Sequence, residues 1–125
     1  MEAQATAEIL RYMSEIPDPR RPNHVHRLGD ILTIAIFAVI CGADGWVEVA
    51  EYGRRKLGWL KTFLALPHGI PAHDTFGRVF ARIQPEAFER CFMGWMSALV
   101  ELSGGKLVAI DGKSLRQSFE HAWDK

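Results

Sequence analysis

Residues 28–41 read LGDILTIAIFAVIC, and the way this run is taken decides the architecture. Its isoleucines would suit a strand, because β-branched side chains pack well on a pleated surface. Its length argues the other way. An apolar run of more than ten residues is long for a strand and ordinary for a helix. Apolar residues occupy nearly every side of that helix, so it reads as a buried central one, with Gly42 as its stop. Thr33 interrupts the longest apolar stretch, 31–41, which is too short to span a bilayer.

Working outward, Ile9, Leu10 and Met13 give 6–16 the pattern of a short amphipathic helix. Pro17, Pro19 and Pro22 then break it, and PDPRRPNHVHR (17–27) reads as an extended basic connector. Downstream, Asp44 is a candidate N-cap for a helix over 45–56, with Trp46, Val47, Val49, Ala50 and Tyr52 apolar and Arg54, Arg55 and Lys56 in the last turn. A short helix over 57–66 carries Trp59, Leu60, Phe63 and Leu64. LPHGIPAHD (66–74) is a Pro- and Gly-rich loop. His73 or Asp74 caps a helix to about 83, in which Phe76, Val79, Phe80 and Ile83 form a buried stripe and Arg78 and Arg82 face away. Pro85 opens the last helix, 85–102, with Phe88, Phe92, Trp95, Met96, Leu99 and Leu102 on one face. Ser103, Gly104 and Gly105 end it. Only then does the period change, and 106–110 reads as a strand. The expected fold is mainly α: five or six helices in 1–103, then a short β-hairpin in 104–125.

Fifteen basic and fifteen acidic residues cancel, so whole-chain charge gives no argument for a polyanionic partner and only a local patch could. Neither the first residues nor any later run looks like a signal peptide or membrane span. Cys41 and Cys91 lack companions at metal spacing and sit in apolar helical contexts, so two buried thiols in a reducing compartment are expected.

Three features could carry chemistry. LVAIDGKSLRQS (107–118) places Asp111 at a strand end before Gly112. Asp-Gly is a hairpin signal, and a carboxylate there could also hold a divalent metal; one Asp alone is not a site. Arg20, Arg21, His24, His26 and Arg27 cluster in the connector, either as a solvated linker or as phosphate contacts. The two helices flanking 67–73, the second exposing Arg78 and Arg82, could be a helix-turn-helix variant or an ordinary helical corner.

IPDPRR (16–21), HRLGDILTIAIFAVICGADGWVEVAEYGRRKLGWL (26–60), LPHGIPAHDTFGRVFARIQPEAFERCF (66–92) and LVAIDGKSLRQS (107–118) closely resemble the ISAs1-family insertion-sequence transposases, including the H-repeat-associated proteins. Gln117 departs from the Gly or Arg expected there. The resemblance implies a DDE transposase, whose N-terminal helical region precedes a catalytic domain of ribonuclease-H-like fold. It makes Asp111 the first acidic residue of the triad, catalytic and metal-binding, and implies that this chain stops before the other two. In the full-length family Mg²⁺ or Mn²⁺ held by the triad activates water or a 3′-hydroxyl; this portion alone is expected to bind neither and to be inactive alone. The implied partner is DNA at insertion-sequence ends, contacted by Arg20, Arg21, His24, His26, Arg27, Arg78, Arg82, Lys113 and Arg116, with a homo-oligomer also in view. The implied location is the bacterial cytoplasm, at the nucleoid and away from membranes. A helical interaction or dimerisation module, or a nonfunctional remnant of a disrupted element, are the competing readings.

Overall fold

The computed structural model describes residues 3–20 and 25–102. Six helices occupy them: α1 (Ala3–Met13), α2 (Leu28–Ile40), α3 (Trp46–Arg55), α4 (Leu57–Leu60), α5 (His73–Arg82) and α6 (Pro85–Leu102), with no strand among the described residues. The expected hairpin in 104–125 lies outside them.

The run at 28–41 is the helix around which the rest is arranged. Ile31, Leu32, Ile34, Ala35, Ile36 and Ala38 are all at 0% exposure. Burying each large side chain stabilises by roughly 1.5–3 kcal/mol, and this helix buries so many in succession because it is covered on several sides. α1 packs on α2 and α6, and α3 packs on α2 and α5. Gly42, at φ 99°, turns the chain out of α2 in a conformation that costs glycine little.

Aromatic rings tie the helices together. Trp46 of α3 stacks on Phe80 of α5 at 5.0 Å, Phe80 meets the edge of Phe88 of α6 at 5.5 Å, and Phe88 stacks on Phe92 at 6.2 Å. Trp95 continues the line to Phe37 of α2 at 5.8 Å, and Phe37 meets Trp59 at 5.4 Å and Phe63 at 6.0 Å. Such pairs contribute about 0.5–1.5 kcal/mol each beyond area burial.

Several local expectations are corrected. The N-cap of α3 is Gly45 at φ 130°, not Asp44; the Asp44 N–H donates instead to Glu48 Oε1 at 3.1 Å. α5 is preceded by Ala72 in extended geometry without a side-chain cap bond, so neither His73 nor Asp74 caps it. The expected helix over 57–66 stops at Leu60. There the Thr62 and Phe63 N–H groups donate to the Trp59 and Leu60 carbonyls, three residues back, at 3.0 and 3.2 Å. With a first helix of one turn and 61–72 between it and α5, no helix-turn-helix is formed by α4 and α5. The expected pair of buried thiols is not found: Cys41 is exposed, because the end of α2 emerges from the core, and Cys91 in α6 is half-buried. Val47 faces outward at 53% exposure.

Candidate functional site

The connector is organised by Asp18 and Arg20. Asp18 Oδ1 accepts from the Arg20 backbone N–H at 3.0 Å and from its Nε at 2.9 Å, while Oδ2 accepts from Nη2 at 2.9 Å. Arg20 Nη1 donates to the His26 carbonyl at 2.6 Å. One guanidinium thus joins the two described ends of the connector. Its side chain is only 11% exposed, so Arg20 is committed to internal bonds.

α5 supplies the opposite wall. Arg82 Nη2 donates to the Pro19 carbonyl at 3.2 Å, a contact between distant parts of the chain. One turn earlier, Arg78 forms an ion pair with Asp74 at 3.2 Å and stays 69% exposed. Asp74 is at the surface; a slight desolvation is outweighed by the Arg78 guanidinium, which holds its carboxyl below the usual range. The two sequence clusters therefore meet. Arg20, Val25, His26, Thr75, Arg78, Val79 and Arg82 line one cleft of about 460 Å³. Arg27 is exposed beside it in the chain. Arg21, His24, Asp111, Lys113 and Arg116 lie outside the described residues.

Behind the cleft sits a polar cluster that sequence reading missed. Asp30 is buried at 3% exposure in the first turn of α2. Desolvation pushes its carboxyl up, while the Leu66 backbone N–H, Arg27 and His26 pull it down by less. The His26 and His68 rings meet edge-on at 6.4 Å. Partial burial, then His68 and Arg20, lower the His26 pKa against a smaller upward pull from Asp30, so the ring is neutral near pH 7. The available signal was Asp30 itself, a charge inside an otherwise apolar run.

A second, broader cleft of about 1050 Å³ lies between the end of α2 and α3 and includes Cys41, Glu48, Glu51, Tyr52, Arg55, Lys56 and His73 in its lining. Its mixed charge favours no single ligand sign. Burial and then Cys41, whose Sγ is 4.0 Å from the hydroxyl, raise the Tyr52 phenol pKa. Among the described residues no group of three or more His, Cys, Asp or Glu side chains could hold a metal ion, and no helix is long and apolar enough to cross a membrane.

The family described as DDE_Tnp_1-associated matches residues 10–96. An "Uncharacterized protein in dhlA 3'region" of Xanthobacter autotrophicus is 52% identical across 86% of this chain and 41% of its own length. The "Putative transposase YncI" of Escherichia coli O157:H7 is 44% identical across 90% of this chain and 29% of its own. The "H repeat-associated putative transposase YhhI" of Escherichia coli (strain K12) is 40% identical across 90% of this chain and 30% of its own. The chain thus spans between 29% and 41% of the length of these three relatives. No solved structure matches it significantly.

Proposed function

The chain belongs to the DDE_Tnp_1-associated family, and from that premise we propose that it is the helical, DNA-contacting region of an insertion-sequence transposase of the ISAs1 type. The relatives named as transposases support the general assignment. The observation that carries the DNA-contacting role is the Arg82–Pro19 bond, which sets the connector and α5 on one concave basic surface. Guanidinium groups offer forked donors that match phosphate oxygens.

Within the cleft the roles divide by exposure. Arg20 is a positioning residue that holds the connector wall. Arg78 and Arg82 meet the phosphates. Arg78 gives up an exposed ion pair with Asp74, of a kind worth about 0–1 kcal/mol, and Arg82 keeps unused donors after bonding Pro19. Neutral His26 can donate to or accept from the backbone at the rim. Arg27, exposed next to His26 in the chain, is a further phosphate contact in this reading, and Arg21, His24, Lys113 and Arg116, outside the described residues, are kept as candidates on charge alone. In this reading Asp111 would be the first of the acidic residues that hold Mg²⁺ or Mn²⁺ in the full-length family, where the metal would activate the attacking oxygen. The expected cytoplasmic, nucleoid-associated setting follows from a DNA substrate.

Amide hydrogen exchange with and without a saturating element-end duplex at low salt tests this. Protection is expected in the described connector at 20 and 25–27 and across 74–83. Protection elsewhere alone, or none at all, would contradict the cleft as the contact.

A further inference from the structure

The cleft leaves another run of cations unused, two of which, Arg55 and Lys56, also line the broad mixed-charge cleft. Residues 54–61 read RRKLGWLK, four basic residues and no acidic one. Arg54 and Arg55 close α3, Lys56 joins it to α4, and Lys61 follows α4. All four are exposed. None forms an ion pair among the described residues, although Glu51 lies one turn before Arg54 and Arg55. The dipole of α3 accounts for a preference for cations at its end. It does not account for Lys61, which lies beyond α4, or for the exposed aromatic residue that falls among the cations in sequence.

That ring is Trp59, 42% exposed. Two edge-to-face contacts hold it, with Phe37 at 5.4 Å and 72° and with Phe63 at 5.1 Å and 69°. An exposed indole is costly to leave in water, and this one is fixed in position by its neighbours. Cations tracking a backbone beside a fixed aromatic ring are the two components of a single-strand platform. The cations meet phosphates while an unstacked base lies on the ring. Duplex DNA would use the charges and leave the indole idle, because its bases are already stacked.

We propose that Arg54, Arg55, Lys56, Trp59 and Lys61 form a second nucleic-acid site, which takes single-stranded or locally unpaired DNA. It shares no residue with the Arg20–Arg78–Arg82 cleft and does not depend on that cleft binding duplex. In a protein that handled strand ends it would hold a frayed end while duplex lay elsewhere.

The test uses the full chain with an oligothymidylate of about 20 nucleotides, a duplex of equal length and fluorescence anisotropy at low salt. Trp59→Leu is expected to weaken single-strand binding about 5- to 160-fold, the range for loss of one stacked base, and to leave duplex binding unchanged. Trp59→Phe should recover most of the loss. The triple change Arg54→Ala, Arg55→Ala, Lys56→Ala should weaken single-strand binding and flatten its salt dependence. Arg78→Ala with Arg82→Ala should spare it, which separates failure here from failure of the cleft. Should Trp59→Leu not fold, photocrosslinking of the unmodified chain to 5-iodouracil-substituted oligonucleotide decides the matter, with Trp59 as the expected adduct. No binding of the oligothymidylate at low salt, unchanged binding in Trp59→Leu, or crosslinks only elsewhere would overturn the proposal.

Discussion

Thr33 sits at 0% exposure inside α2, and its Oγ1 reaches no hydrogen-bond partner among the described residues. A buried hydroxyl left unpaired costs about 1–3 kcal/mol. Valine has nearly the same shape and no hydroxyl. Thr33→Val is therefore expected to raise stability by about 1 kcal/mol, read as a higher urea midpoint at unchanged slope; a lower midpoint would mean the hydroxyl has a partner in solution. At this scale the sequence was legible for the core and opaque for the polar cluster. Phe76, Val79 and Phe80 announce their burial by helical spacing, and all three are buried. Asp30 does not announce its partner, because the Leu66 N–H beside it comes from a distant loop. Arg20 read as a free cation, and only the fold reveals the fork to Asp18 and the bond to His26 that occupy it.

The helices differ in how plainly they were written. α5 and α6 carry uninterrupted periodic stripes and Pro85 at the first turn, and they form where that pattern places them. α4 does not extend to 66 because its leucines have a different task. Leu64 and Leu66, two residues apart, are both buried, which suits an extended chain better than one helix face. Leu66 even takes φ 44°, a conformation rare for a residue with a side chain. Packing of α3 offers a sharp test at this scale. A Cβ on Gly53 would lie 2.8 Å from Ile70 Cγ2 and 3.3 Å from Ile34 Cγ2. Alanine would gain about 1 kcal/mol in helix propensity, but overpacking typically costs 1–3 kcal/mol. Since the contact is with a γ-methyl close to the Ile70 backbone, the clash should win. Gly53→Ala is expected to lower the thermal midpoint, and a rise would show that the 66–72 loop yields without cost.

Across the whole molecule the chain is electrically neutral, with fifteen basic and fifteen acidic residues, so affinity for a polyanion must come from where the charges are gathered. The sequence showed two basic clusters. It could not show that the connector and α5 share one cleft, because that depends on the Arg82–Pro19 contact and on how α3 and α5 pack. Asp111 and the segment before it, expected to be a strand, lie outside the described residues. The central claim is that Arg78 and Arg82 neutralise DNA phosphates. It is tested most directly by the salt dependence of duplex binding. Each phosphate neutralised contributes about −0.9 to the slope of log affinity against log salt. Replacing both arginines by alanine should therefore reduce the magnitude of that slope by about 1.8 and weaken binding at every salt concentration. An unchanged slope, or a native chain that binds no element-end duplex even at low salt, would contradict it.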